Sequence, residues 1–146
     1  STQSRSSAAS DVYKRQHISK KSMFNTPPVF AIYVSMLTLQ WLKDHGGVEW
    51  IEGVNNQKAE LLYNEIDRNP LFEGVAEKED RSNMNVTFRL TDSTKENLFN
   101  QLWENAGISG LKGHRSVGGY RASMYNALPL ESVNALVNVM KNLEKN

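Results

Sequence analysis

Two arginines and a histidine beside a run of glycines are the residues of this chain best suited to chemistry. The segment reads Gly113-His114-Arg115-Ser116-Val117-Gly118-Gly119-Tyr120-Arg121. Glycine lets backbone approach a ligand closely. The guanidinium of Arg115 or Arg121 is a planar fork that matches a phosphate or a carboxylate, and His114 adds a donor whose charge follows pH. Arg115 and Arg121 lie six residues apart across a Gly-Gly bend. Two arginines so spaced could clamp two anionic groups of one small substrate. A surface loop with an arginine paired to a nearby carboxylate has the same spacing, and a motif this short does not choose between them.

Asn25-Thr26, ahead of Pro27-Pro28, is a second candidate. An amide and a hydroxyl on a stiff, extended segment just before a helix suit a phosphate. Helix capping by the same side chains is the plainer alternative. Other polar groups lead nowhere. Asp92, Ser93 and Glu96 read as caps, and Glu77, Glu79 and Asp80 as a solvated loop. Trp41, Trp50 and Trp103 read as core or interface. His17 and His45 lack partners at metal-ligand spacing, so no metal site is expected, and no Ser-His-Asp arrangement is supported.

The elements that must position these residues follow from periodicity. Residues 1–16 are Ser-rich, with no helical or strand pattern, and read as a disordered or foreign tail; the tail is taken to end by residue 18. Phe30, Tyr33, Val34, Leu37 and Trp41 predict a helix with one apolar face, closed by Gly46-Gly47. A second helix over about 48–66 carries Val48, Ile51, Ala59, Leu62 and Ile66 on one side. Asn55, Asn56, Lys58, Glu60 and Asn64 fall on its polar side, and Asn69-Pro70 stops it. Met84, Val86, Phe88 and Leu90 alternate with polar residues, as in a half-exposed strand. Ser93-Thr94-Lys95-Glu96 reads as a capping box before a helix through Leu98, Phe99, Leu102, Trp103 and Ala106. A short strand over 108–111, a strand over 120–125 and a helix after Pro129 complete the order. The fold class is α+β: helices packed on a small, mainly antiparallel sheet.

Composition narrows the partners. With 17 basic and 16 acidic residues the net charge is +1, so neither nucleic acid nor an anionic membrane is expected. No apolar run reaches the roughly 20 residues of a membrane span, and the N-terminus lacks the apolar core of a secretory signal. There is no cysteine, which fits a reducing cytosol.

These stretches resemble the phosphoserine aminotransferase family. The resemblance is carried by Met23-Phe24-Asn25-Thr26-Pro27-Pro28-Val29-Phe30-Ala31-Ile32-Tyr33, by Trp41-Leu42-Lys43 with Gly46-Gly47-Val48, and by Arg81-Ser82-Asn83-Met84-Asn85-Val86-Thr87-Phe88. The most specific stretch runs from Gly110-Leu111-Lys112-Gly113-His114-Arg115 through Tyr120-Arg121-Ala122-Ser123 to Asn126-Ala127, with Pro129-Leu130-Glu131 after it. The resemblance as a whole extends from about residue 19 to the C-terminus. It implies the small C-terminal α/β domain of a fold type I pyridoxal-phosphate enzyme, residues 19–146, with the Asn-Thr-Pro-Pro lead-in and its helix. It also implies amino transfer between L-glutamate and 3-phosphohydroxypyruvate, giving phosphoserine and 2-oxoglutarate in L-serine biosynthesis, with a related step of pyridoxine biosynthesis in bacteria.

A cytoplasmic homodimer using pyridoxal 5'-phosphate is implied with it. By the same resemblance Asn25 and Thr26 reach the cofactor phosphate of the neighbouring subunit, Arg121 holds the substrate α-carboxylate, and His114 and Arg115 recognise the substrate phosphate. The family's Schiff-base lysine lies upstream of the Asn-Thr-Pro-Pro segment. Nothing before Ser19 resembles that region, and Lys14, Lys20 and Lys21 stand in a different context. No catalytic residue is therefore expected here, and the chain alone should be inactive. The competing reading is a free-standing α+β module that binds phosphorylated metabolites. Such a module should cover the 30–41 helix, whereas a piece of an enzyme should expose an apolar patch larger than a monomer normally shows.

Overall fold

Gly46 and Gly47 both take positive φ, +112° and +75°, a backbone region that a side chain resists. Just ahead of them the chain passes from one compact unit, Ser1–Asp44, to a second, His45–Asn146. The computed structural model describes residues 2–145, with side chains from residue 10 onward.

The first unit holds two helices, α1 (Thr2–Ser19) and α2 (Val29–Asp44). Helix α1 replaces the structureless tail expected there. Its sequence has no Pro or Gly and includes the good helix formers Ala8, Ala9, Lys14, Arg15 and Gln16. It lacks an apolar stripe, and a stripe is the signal that periodicity reads. Helix α2 starts directly after the prolines, with Ile32 N–H donating to Pro28 O at 3.1 Å. None of its residues is buried. Val29, Ile32, Met36 and Leu39 occupy a different phase from Phe30, Tyr33 and Leu37, and all are exposed, Phe30 to 81%. The helix is thus apolar over more than the single face expected, a pattern found in helices buried on several sides.

The second unit runs α3 (Gly47–Arg68), β1 (Phe72–Gly74), β2 (Asn85–Leu90), α4 (Glu96–Asn105), β3 (Tyr120–Ser123) and α5 (Leu130–Glu144). The sheet order is β1-β2-β3, antiparallel throughout. Strand β1, absent from the sequence reading, pairs Phe72 with Leu90 and Gly74 with Phe88. The strand expected at 108–111 does not form; that stretch is loop, and one isolated bridge joins Lys112 to Tyr120. The start of α4 also differs. Asp92 Oδ1, rather than Ser93, accepts from Thr94 N–H at 2.9 Å and caps the short 3-10 turn Ser93–Lys95 before α4.

One sheet face is covered by helices. Val86, Phe88, Tyr120 and Ala122 point into a core with Leu62, Ile66, Phe99, Val133, Leu136, Met140 and Leu143. Phe72, Phe88, Phe99 and Tyr120 meet ring to ring, with Phe99 edge-on to Tyr120 at 4.9 Å. Burial pushes the Tyr120 phenol up to about 12, helped by Glu96, and its hydroxyl donates to Asn100 Oδ1. At the far end of α3, Asn69 is buried and donates to Glu65 and to Met140 O, while its own oxygen accepts from Leu71 N–H. That side chain fixes the turn from α3 into β1.

The polar side expected for α3 needs correction at two positions. Asn55 is 8% exposed and Lys58 is fully buried, while Val48 is exposed. The spacing explains it: 51, 55, 58, 62 and 66 form one helical stripe, and the Asn55 amide N–H and the Lys58 ammonium find acceptors on residues 124–128.

Candidate functional site

The uncovered sheet face carries the polar partners of each strand. Asn85 stands opposite Ser123, Thr87 opposite Arg121, and Glu73 opposite Arg89. Ser123 donates to Asn85 Oδ1, and Asn85 donates to the Tyr125 hydroxyl. Arg89 donates to Glu73 at 2.9 Å, which holds the Glu73 carboxyl below the usual carboxylate range. Arg121 has no such neighbour. Among the described residues, neither Arg121 nor Arg115 is in ion-pair contact with a carboxylate. The alternative of an arginine paired on a surface loop is therefore not what the described residues form.

The loop between α4 and β3 is closed by backbone. Gly113 N–H donates to Gly119 O, and the N–H groups of Val117 and Gly118 both donate to His114 O. Arg121 N–H donates to Leu111 O at 2.7 Å. Glycine is required at two points. A Cβ on Gly113 would lie 2.3 Å from Gly118 O, and one on Gly119, at φ +65°, would lie 2.8 Å from Phe88 O. These bonds tie the His114-Arg115 turn to the start of the strand that bears Arg121.

His114 is oriented within this turn. Ser116 N–H donates to Nδ1, and Ser116 Oγ lies 2.7 Å from the same nitrogen. A backbone N–H can only donate to a lone pair, so the neutral ring carries its proton on Nε2. Nε2–H is then free to serve as an outward donor. Arg121 also lines a groove of about 340 Å³ beside β3, with Ser109, Leu111, Ser123, Leu128 and Ser132. His114 and Arg115 do not line that groove. The three residues share one backbone-tied turn and strand, but not one cavity.

Asn25 and Thr26 lie in the first unit, at a bend and the residue after it ahead of α2, and both are exposed. Neither side chain hydrogen-bonds among the described residues, so neither caps α2. The stretch is anchored from α1. Ser22 N–H donates to His17 O, and the His17 ring stands between Tyr13 and Phe24.

Two clusters missed in the sequence have structural jobs. Arg81 grips Asp67 with two bonds, 2.7 and 2.9 Å, and stacks over the Tyr63 ring. Lys58 is bound by the backbone carbonyls of Met124, Tyr125 and Leu128. Among the described residues no group of three or more His, Asp or Glu could hold a metal ion, and no helix is long and apolar enough to cross a membrane.

The sequence matches the family described as Aminotransferase class-V over residues 5–136. The chain belongs to the class-V aminotransferases. The chain is 68% identical over 129 residues to the phosphoserine aminotransferase of Flavobacterium psychrophilum, covering 88% of this chain and 36% of that protein. It is 64% identical to that of Flavobacterium johnsoniae, over the same shares. Among solved structures it resembles the phosphoserine aminotransferase of Bacillus circulans subsp. alkalophilus, at 42% identity and a TM-score of 0.83, with 90% of this chain and 37% of that one covered. A PLP-bound phosphoserine aminotransferase from Trichomonas vaginalis matches at 39% identity and a TM-score of 0.78, covering 88% of this chain and 37% of that one. This class-V chain therefore spans little more than a third of the length of the relatives it matches.

Proposed function

We propose that residues 19–146 are the C-terminal domain of a phosphoserine aminotransferase. The whole enzyme would move an amino group from L-glutamate to 3-phosphohydroxypyruvate, giving phosphoserine and 2-oxoglutarate in serine synthesis, and would serve a related step of pyridoxine synthesis in bacteria. The observation that carries this reading is the pair of uncommitted arginines, Arg115 and Arg121, on a turn and strand closed by backbone bonds. The identities to phosphoserine aminotransferases support it.

In this reading the Arg121 fork holds the α-carboxylate common to both amino acids. Arg115 and the Nε2–H of His114 hold the phosphate of phosphoserine. Asn25 and Thr26, whose side chains are exposed and otherwise unused, present an amide and a hydroxyl to the phosphate of pyridoxal 5'-phosphate in the partner subunit of a cytoplasmic homodimer. That cofactor supplies the electron sink at the substrate α-carbon. The exposed apolar surface of α2 supports a helix that other parts of the whole enzyme cover, and it speaks against a free-standing module.

The test is an amino-transfer assay on the purified full-length enzyme and on the 146-residue chain. The full-length enzyme should convert phosphoserine and 2-oxoglutarate to glutamate. The chain alone should show no turnover, because no lysine in it occupies the family's anchoring position. Turnover by the bare chain, or none by the full-length enzyme, would overturn the proposal.

A further inference from the structure

Lys58 is buried in the middle of α3, and no carboxylate pairs with it among the described residues. Its Nζ donates to three backbone carbonyls: Met124 O at 3.1 Å, Tyr125 O at 3.0 Å and Leu128 O at 3.2 Å. An ammonium has three protons, and here each has an acceptor. Three carbonyl dipoles aimed at one point repel one another unless a cation gathers them, and an apolar side chain could not do so. Burial alone pushes the Lys58 pKa down.

The residues held in this way continue β3. Met124 follows Arg121 by three positions. At its other end the strand is fixed by Arg121 N–H to Leu111 O, and along its inner side by the ladder to β2. Beyond Ser123 the chain leaves the ladder, with Met124 N–H to Met84 O and Leu128 N–H to Tyr125 O as its backbone bonds. One turn before Lys58, Asn55 donates to Asn126 Oδ1 at 2.8 Å. Two successive turns of α3 thus grip the segment that leads away from Arg121.

We propose that Lys58 is a positioning residue for carboxylate recognition: by gathering the carbonyls of residues 124, 125 and 128 it fixes the exit of β3 and so the aim of the Arg121 guanidinium. The inference rests on the reading of Arg121 as the carboxylate holder. It adds a requirement that reading does not contain, namely a buried cation that touches no substrate.

The experiment is steady-state kinetics on the full-length enzyme carrying Lys58→Met, with Arg121→Lys in parallel. Lys58→Met should raise KM for glutamate and for phosphoserine alike, on the order of tenfold, with kcat within about twofold, the signature of lost binding common to ground and transition state. A purely structural Lys58 would instead lower the amount of active enzyme and the melting temperature, with both KM values unchanged, and that result overturns the proposal. A rise confined to phosphoserine overturns it too.

Arg121→Lys separates the two layers of the argument. If it leaves both KM values unchanged, the carboxylate assignment itself fails. If it raises both while Lys58→Met raises neither, only the positioning inference fails. Should Lys58→Met not fold, Asn55→Ala cuts the neighbouring tie and leaves Lys58 in place. It should raise the same two KM values about threefold, and unchanged values would again overturn the proposal.

Discussion

Thr87 and Arg121 stand directly opposite each other on the open face of the sheet, while the next arginine on that face, Arg89, stands opposite Glu73 and is bonded to it. One strand pairing neutralises its arginine and the other leaves it charged. Thr87→Glu should reverse that. A carboxylate opposite Arg121 should hold or raise the melting temperature, since an opposite-charge cross-strand pair contributes about 0.2–1 kcal/mol. In the full-length enzyme it should also raise KM for both amino-acid substrates about tenfold or more. Thermal unfolding and two-substrate kinetics check the two halves.

Ser116 sets the His114 ring through both its N–H and its hydroxyl. Ser116→Ala keeps the backbone donor and removes the Oγ contact. It should cost about 1 kcal/mol of binding, the usual net worth of one hydrogen bond, and raise KM for phosphoserine roughly fivefold while glutamate is unaffected. Replacing His114 itself with Ala should exceed that effect on the same substrate. Kinetics with each amino donor separately give the comparison.

Gly113→Ala places a methyl group 2.3 Å from Gly118 O, so the Gly113–Gly119 closure must open. Because residues 114–119 are exposed and outside the core, the helical circular-dichroism signal should survive. Phosphoserine turnover in the full-length enzyme should fall at least about a hundredfold, as expected when binding groups lose alignment.

Acid should weaken the unit through Asp67. The bonds from Arg81 hold the Asp67 carboxyl below the usual carboxylate range. A carboxyl lowered in the folded state contributes stability above its unfolded value, and that contribution disappears as pH falls through the lowered folded value. The pair is partly exposed, so its worth is about 1 kcal/mol or less. Asp67→Asn should therefore be less stable than the natural chain at neutral pH, and the gap should close below about pH 4. Urea midpoints measured across pH give the comparison.

The sheet and its helices were legible where a single periodicity ruled: the alternation through Val86 and Phe88, the β3 face of Tyr120 and Ala122, the stripe from Val133 to Leu143. What escaped had a physical reason in each case. Strand β1 has three residues, too few to alternate visibly, and gains its order from Asn69 and from the β2 ladder. The stretch at 108–111 offers Ile108 and Leu111 as apolar residues, but Gly110 at φ +71° breaks the extension and the backbone of Leu111 serves the glycine loop. Helix α1 has no apolar stripe to read. Lys58 and Asn55 looked polar by type, although their phase on α3 pointed inward; only a segment 66 or more residues away, with backbone carbonyls for Lys58 and the Asn126 amide oxygen for Asn55, explains how they are buried. Among the site residues, the types were plain from sequence. The freedom of Arg115 and Arg121 from carboxylates was not, because it depends on which residues the sheet places opposite them.

Substrate discrimination is the decisive measurement for Arg115. In the full-length enzyme, kcat/KM for phosphoserine should exceed that for unphosphorylated serine, and Arg115→Ala should erase most of that preference while turnover of glutamate stays as it was. Equal use of serine and phosphoserine by the natural enzyme, or an Arg115→Ala variant that keeps the preference, would contradict the account.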